Sequence, residues 1–172
     1  EGAFITKATA QLMRDFGSTP APISSWIMGM HLESLGVRME RHCANAQKVA
    51  EWLAADPRVS WVSYPGLEND KYHALAQKYM PNGTCGVISF GVPGGRETVS
   101  AFLDHLKMVS IATHVADARS CTLYPAGTTH RQLTEEQLEE AGVGIDLVRL
   151  SCGIENTADI IADLDQALAA VQ

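Results

Sequence analysis

The stretch Leu147-Val148-Arg149-Leu150-Ser151-Cys152-Gly153-Ile154-Glu155 decides how the C-terminal part of this chain folds. Val148 and Leu150 alternate with Arg149 and Ser151, which is the spacing of a short β-strand with one apolar and one polar face. A glycine then interrupts the alternation, and an amphipathic helix follows. The strand therefore presents one arginine on a rigid support, and a guanidinium held in this way is suited to bidentate capture of a carboxylate.

The composition is that of a single globular domain. The chain has 172 residues, of which 46% are hydrophobic and 19% are charged, and its formal net charge is −7. These values argue against disorder, and the negative charge argues against a nucleic-acid surface, which is normally basic. No apolar run approaches the roughly 20 residues that span a membrane. The chain opens at Glu1-Gly2-Ala3-Phe4 without an initiator Met, so we expect part of a longer polypeptide.

The cysteines and histidines have neither a disulfide pattern nor a metal pattern. The four cysteines lie far apart inside apolar runs, and none forms a Cys-x-x-Cys pair. The six histidines are equally scattered. We therefore expect buried free thiols in a reducing compartment, a cytoplasmic protein and no metal site.

Helical and strand patterns alternate along the chain. Apolar residues at helical spacing continue from residue 37, and the last helix begins near Asn156. Strand patterns of varying strength occur at 59–64, 86–92, 108–111, 121–124 and 147–151. This order predicts an α/β (α+β) sandwich, in which a small sheet of about four strands is covered by helices.

Serines and histidines allow one catalytic interpretation. Ser120 or Ser151 would be a nucleophile, with His130 or His114 as its base. The Gly-x-Ser-x-Gly turn that exposes a hydrolase serine is absent from the sequence, which argues against this chemistry.

Arg149 allows two further interpretations. In one, the chain is a binding module without chemistry, and the arginine forms only a structural ion pair. In the other, Arg149 anchors a carboxylate while His114-Val115 and Thr129 line the same small-molecule pocket. Sequence spacing alone leaves both open.

Four segments occur in a fixed order along the chain. They are Arg38-Met39-Glu40-Arg41-His42-Cys43-Ala44-Asn45-Ala46, Phe90-Gly91-Val92-Pro93-Gly94-Gly95-Arg96-Glu97, Tyr124-Pro125-Ala126-Gly127-Thr128-Thr129-His130-Arg131-Gln132-Leu133, and Leu147 to Glu155. Together they resemble the C-terminal part of the Cys/Met-metabolism family of pyridoxal phosphate (PLP) enzymes. The second and third segments are more similar to the O-acetylhomoserine sulfhydrylase branch than to the cystathionine synthases and lyases. The resemblance covers essentially all 172 residues.

The resemblance implies a fold-type-I enzyme of which this chain is the C-terminal part. Residues 1–36 would be a helical connection from an upstream cofactor domain, and residues 37–172 would be the substrate-side domain. The full-length enzyme would be a homotetramer that acts on an amino-acid substrate. It would replace the acetate of O-acetylhomoserine by sulfide or a thiol, giving homocysteine or methionine.

The resemblance also assigns roles to site residues. Arg149 would bind the substrate α-carboxylate, and Thr129, His114 and Val115 would help to position the substrate. The sulfhydrylases commonly have Asn-Val-Gly-Asp where this chain has His114-Val115-Ala116-Asp117, and Pro-Ala-Ser where it has Pro125-Ala126-Gly127. Both departures bear on substrate preference. The alternatives are a cystathionine γ-synthase or methionine γ-lyase and, in another class, a non-catalytic binding or assembly domain.

The cofactor implied by the resemblance is PLP, held by the full-length enzyme. Its chemistry needs a lysine that bonds the cofactor. The chain has five lysines: Lys7, Lys48, Lys71, Lys78 and Lys107. Thr6-Lys7 superficially matches such a site, but the resemblance places this segment after the catalytic lysine. We therefore expect no catalytic or cofactor-binding residue in this chain, no PLP bound to it alone, and no activity of the fragment.

Overall fold

The chain divides into two compact units, Glu1–Gly36 and Val37–Gln172, and the computed structural model describes residues 2–171. The first unit is helical. Its elements are α1 (Gly2–Lys7), a π-helical segment (Ala8–Met13), α2 (Arg14–Phe16) and α3 (Pro22–Glu33). Gly17 ends α2 in the left-handed conformation with φ 66°, and Pro22 stands at the start of α3, where its missing N–H costs nothing.

The first unit exposes an unusual number of apolar side chains. None of the residues described in α1, α2 or α3 is buried. The exposed apolar residues are Phe4, Ile5, Leu12, Met13, Phe16, Ile23, Trp26, Ile27, Met28, Met30, Leu32 and Leu35. A helix with apolar residues on all sides is normally enclosed by other structure. Residues 2–36 therefore have no apolar core of their own.

The second unit contains the sheet and its helices. Its helices are α4 (Leu35–Ala55, which begins in the first unit), α5 (His73–Tyr79), α6 (Gly95–His105), α7 (Glu135–Glu140) and α8 (Thr157–Ala169). Its strands are β1 (Val62–Ser63), β2 (Val87–Gly91), β3 (Ser110–Ile111), β4 (Cys121–Leu123) and β5 (Leu147–Ser151). A short 3₁₀ turn covers Pro125–Gly127. Helices and strands thus form the α/β class that the sequence predicts.

The sheet has five strands in the order β1-β2-β5-β4-β3. All neighbouring pairs are antiparallel except β3 and β4, which are parallel. The prediction of about four strands is therefore corrected to five. The difference arises because the two-residue segments Val62–Ser63 and Ser110–Ile111 both pair as edge strands.

The central strand β5 separates two environments. Its residues Val148 and Leu150 are fully buried and belong to one apolar cluster with Ile88 and Phe90 of β2. Helices α4, α6 and α8 contribute Ala46, Val49, Ala50, Leu53, Val99, Phe102, Leu103, Ile160, Leu164, Ala167 and Leu168 to the same cluster. The alternation predicted for this strand is confirmed, so Arg149 lies on the face opposite the core.

Two further observations concern the described residues. Among residues 2–171, no helix is long and apolar enough to cross a membrane. In the same residues, no group of three or more His, Cys, Asp or Glu side chains is arranged to hold a metal ion.

Candidate functional site

The guanidinium of Arg149 lies at the centre of the candidate site. It projects from β5 between the cross-strand neighbours Ser89 of β2 and Leu123 of β4. Its Nη2 donates to the backbone carbonyls of Thr113, at 3.0 Å, and His114, at 3.4 Å. Its Nε is buried and has no hydrogen-bond partner within the described part of the chain. Because a buried donor without a partner is costly, the Nε indicates a missing acceptor.

The segment after β3 is fixed against β5 at a second point. Ala116 has a φ of 59°, the left-handed conformation that residues with a Cβ rarely adopt. Its N–H donates to the hydroxyl of Ser151, at 3.1 Å. The next residue, Asp117, accepts the backbone N–H of Arg119 at 3.0 Å, and this hydrogen bond lowers the pKa of the Asp117 carboxyl.

The turn after β5, residues 152–155, holds the C-terminal end of the segment that follows β3, at residues 118–120. The carboxylate of Glu155 accepts both the backbone N–H, at 2.6 Å, and the hydroxyl, at 2.9 Å, of Ser120. The Ser120 hydroxyl in turn accepts the N–H of Gly153, at 2.9 Å. The N–H of Ile154 donates to the carbonyl of Ala118, at 2.9 Å. Strand β5 and its turn therefore hold residues 113–120 at five positions: Thr113, His114, Ala116, Ala118 and Ser120.

Helix α4 supports this turn from the other side. The amide of Asn45 donates to the carbonyls of Gly153 and Glu155, both at 2.9 Å, and its oxygen accepts the hydroxyl of Thr157. The Nδ1 of His42 lies 2.6 Å from the carbonyl of Cys152. Because Asn45 and His42 are themselves buried, the turn has a fixed position relative to the core.

A glycine is required at position 153 because the turn after β5 lies very close to the backbone of residues 118–120. A Cβ at this position would lie 2.3 Å from Oε2 of Glu155 and 2.5 Å from both the carbonyl of Ala118 and the N–H nitrogen of Ser120. Two of these three atoms belong to the backbone and cannot move aside. The glycine that interrupts the strand pattern is thus part of the site's construction.

The structure brings together some of the predicted site residues. The backbone carbonyl of His114 accepts a hydrogen bond from Arg149. The side chains of His114 and Val115 are exposed. Thr129 is also exposed, and its hydroxyl is hydrogen-bonded to Nδ1 of the neighbouring His130, at 2.9 Å. The contacts described for Thr129 therefore do not connect it to Arg149.

The serines that we considered as nucleophiles have structural hydrogen bonds instead. Ser120 and Ser151 are both buried, and their hydroxyls bind Glu155 and the N–H groups of Gly153 and Ala116. Neither serine has a histidine among these partners, which argues against the hydrolase interpretation.

Sequence reasoning assigned no role to Ser151, Glu155, Ser120 or Asn45 in holding the site. Asn45 and Glu155 lie in two of the four segments that carry the family resemblance. Their presence in these segments was the signal in the sequence that they have a role. The partners themselves are distant in sequence, and only the fold brings them together.

The five lysines are surface side chains in the described part of the chain. Lys71 and Lys78 lie over the rings of Tyr72 and Tyr79, each 4.9 Å from the ring centroid. A cavity of about 900 Å³ is lined by residues between Glu40 and Thr84, none of which is a lysine. A lysine bonded to PLP needs an enclosed pocket, so these residues do not fit the group on their own.

Comparison with known proteins connects this chain to one family. A family model described as Cys/Met metabolism PLP-dependent enzyme matches residues 2–169. The O-acetyl-L-homoserine sulfhydrylase of Leptospira meyeri is 45% identical over 167 residues, which are 96% of this chain and 38% of that protein. The homocysteine synthase of Schizosaccharomyces pombe is 44% identical over 166 residues, which are 96% of this chain and 39% of that protein.

A solved structure shares the fold. A protein from Campylobacter jejuni, assigned as an O-acetylhomoserine (thiol)-lyase, superimposes with a TM-score of 0.88 and is 38% identical. The match covers 95% of this chain and 39% of that protein, which contains N'-pyridoxyl-lysine-5'-monophosphate. This chain thus spans about two fifths of the length of the relatives that it matches. From the family match over residues 2–169 and these identities, the chain belongs to the Cys/Met metabolism family of PLP-dependent enzymes.

Proposed function

We propose that this chain is the substrate-side part of an O-acetylhomoserine sulfhydrylase. The intact enzyme would exchange the acetate of O-acetylhomoserine for sulfide or a thiol, with homocysteine or methionine as the product. The observation that carries the proposal is the unpaired, buried Nε of Arg149 in a chain whose relatives have this activity in their names. A substrate carboxylate would supply the acceptor that this nitrogen lacks.

In this proposal, each predicted site residue has a defined role. Arg149 holds the substrate α-carboxylate, while His114 and Val115 form the wall beside it. The hydrogen bond of the guanidinium to the His114 carbonyl and that of the Ala116 N–H to Ser151 of β5 support this wall on both sides. Thr129 contributes its exposed hydroxyl from the turn after Pro125–Gly127. None of these groups changes a bond of the substrate, so their function is binding and orientation.

PLP, when bound, supplies the electron sink for the reaction at the amino-acid carbons. We propose that a separate part of the longer polypeptide holds it and contributes the catalytic lysine. The exposure of all five lysines supports this division. The 172-residue chain alone is then inactive, and mixing it with PLP should give no visible absorption band of lysine-bound cofactor. Such a band would contradict the proposal.

The apolar first unit supports a partner for residues 1–36. We propose that these residues connect to, and are covered by, the cofactor domain of the longer polypeptide, with residues 37–172 as the substrate-side domain. Exposed Trp26, Ile27 and Met30 on α3 are the kind of surface that such a domain would bury. The relatives' additional length provides room for that domain.

We further propose that the full-length enzyme is a homotetramer. From the four free cysteines, we also propose a cytoplasmic location.

The test of the activity uses the full-length protein with O-acetylhomoserine and either sulfide or cysteine as the nucleophile. We expect sulfide-dependent formation of homocysteine and release of acetate. Preferential use of cysteine would indicate a cystathionine γ-synthase, and cleavage of methionine without a second substrate would indicate a methionine γ-lyase. Either result would overturn the proposed activity.

A further inference from the structure

Ser151 occupies a position that the proposed substrate-binding residues depend on. It lies two residues after Arg149 on β5 and therefore on the same face of the sheet. The residue is only 2% exposed, and its hydroxyl is engaged within the fold. The hydroxyl accepts the N–H of Ala116, at 3.1 Å.

The backbone that Ser151 holds is intrinsically unfavourable. Ala116 is the one residue other than glycine with a positive φ in the described part of the chain. An alanine in the left-handed conformation is strained by its Cβ, and such a residue persists only when its surroundings over-determine it. The hydrogen bond from Ala116 to Ser151 is a contact of this kind.

The two polar side chains of β5 hold the two ends of one short segment. Arg149 binds the carbonyls of Thr113 and His114, and Ser151 binds the N–H of Ala116. Val115 lies between these attachment points. If the Ser151 contact is lost, the strain at Ala116 is free to relax, and the segment moves relative to the guanidinium.

We propose that Ser151 is a positioning residue of the carboxylate site, acting through Ala116 on the orientation of residues 113–116 and of the Arg149 guanidinium. This inference rests on the proposed function. Its consequence is specific: Ser151 affects the affinity for the amino-acid substrate and leaves the rate of the bound complex almost unchanged, because it touches neither the substrate nor the reacting atoms.

The first test compares Ser151→Ala with wild type in the full-length protein. We expect the KM for O-acetylhomoserine to rise about tenfold while kcat changes less than about twofold, which is the pattern of lost uniform binding. Ser151→Thr keeps the hydroxyl and should retain most of the affinity. Ser89→Ala removes a hydroxyl from the residue opposite Arg149, with no hydrogen bond to residues 113–116, and serves as the matched control.

The second test measures amide hydrogen exchange in the full-length protein. Ser151→Ala should accelerate exchange at Ala116 and leave the amides of Ile88 and Leu150 protected, since a loss of global stability would accelerate all three. The inference about Ser151 would be overturned, with the proposed function intact, if Ser151→Ala left the KM for O-acetylhomoserine unchanged. It would also be overturned if Ser151→Ala and Ser89→Ala changed that KM equally. A wild-type protein without sulfide-dependent turnover of O-acetylhomoserine would overturn the proposed function, and the inference with it.

Discussion

The guanidinium of Arg149 has two functions, one in holding the protein backbone and one in binding the proposed substrate. Its Nη2 attaches residues 113 and 114 to the strand, and its Nε points to an acceptor that the described residues do not provide. An arginine can do both because its donors are held in one rigid plane. A lysine could neutralise a carboxylate, but it could not hold the segment and the substrate in a fixed relative orientation.

Replacement of Arg149 should therefore affect substrate binding strongly. We expect Arg149→Ala in the full-length protein to cost on the order of 2–5 kcal/mol of binding free energy, which raises the substrate KM at least about 30-fold. Arg149→Lys should recover only part of this loss. The absorption spectrum of the bound PLP should not change.

Arg119→Lys is the matched control for this experiment, because Arg119 lies near the same segment and is exposed. Its KM should stay within about twofold of the wild-type value, since exposed ion pairs contribute little. A KM for Arg149→Ala close to that of this control would rule out the carboxylate role.

For single residues, the sequence predicts which face of β5 a side chain occupies, but it does not predict which residues that side chain contacts. The alternation of β5 correctly placed Val148 and Leu150 in the core and Arg149 on the other face. It could not indicate that the guanidinium reaches the carbonyl of Thr113, because that contact depends on the pairing of β5 with β4. Nor did it anticipate the positive φ of Ala116, since nothing about an alanine favours it.

Among the secondary-structure elements, the turn between β5 and α8 is tightly constrained. Gly153→Ala should lower the free energy of unfolding by about 1–3 kcal/mol, the usual range for overpacking, because its Cβ would meet the backbone of residues 118 and 120. Gly36→Ala is the matched control. No atom lies within 4 Å of the position of its Cβ, so we expect unchanged stability or a gain of up to about 1 kcal/mol. Urea unfolding of the 172-residue chain measures both; equal values for the two variants would contradict the close approach.

Helix α8 is joined to the segment before β3 by a single carboxylate. Asp163 accepts the backbone N–H groups of Lys107, Met108 and Val109 at 2.8, 2.9 and 2.8 Å. Burial alone would raise the pKa of Asp163, but the three backbone donors outweigh it and lower the pKa below its ordinary value of 3.8. The charged form is therefore the one that stabilises the fold.

Asp163→Asn should lower the free energy of unfolding by about 2–3 kcal/mol at neutral pH, since an amide cannot accept from all three donors. The native pKa is below the unfolded one, so the contribution is complete above about pH 3.8 and is lost as the pH falls below that value. The stability difference between wild type and variant should shrink over that range. Exposed Asp104 on α6 provides the control, Asp104→Asn, which should change stability by less than about 0.5 kcal/mol. A constant difference down to pH 2 would refute the role of the charge.

The elements themselves could be predicted to different degrees. Strands β2 and β5 were located almost to the residue, because their apolar patterns are long and strong. The pattern at 59–64 shortened to Val62–Ser63, since an edge strand is limited by the partner that it can reach. The helix that the spacing predicts from residue 37 begins at Leu35 instead, because a glycine costs a helix only about 1 kcal/mol and Gly36 is tolerated inside α4.

For the molecule as a whole, the first unit makes a prediction about solution behaviour. Residues 2–36 expose apolar side chains without a core, so the isolated 172-residue chain should bind the dye ANS and associate with increasing concentration. The double substitution Trp26→Gln and Met30→Gln removes two neighbouring side chains on α3 and should reduce both effects, with little change in the free energy of unfolding. Light scattering and dye fluorescence measure the outcome.

The control for that experiment is Leu75→Gln, which removes an exposed apolar residue of α5 in the second unit. It should alter neither dye binding nor association appreciably. If the α3 variant behaves like this control, the first unit is not the source of the association, and its proposed burial by a cofactor domain loses its support.

The strand order has a consequence for the timing of folding. Strand β5 comes after the other four strands of this sheet in chain order, yet both β2 and β4 depend on it as a partner. Until it emerges, the sheet can exist only as two separate ribbons, β1-β2 and β3-β4, and two-stranded ribbons are marginally stable in water. Pairings between such distant parts of a chain also form slowly. The nascent protein therefore closes its core late, and the same event carries Arg149 into its place between the two ribbons.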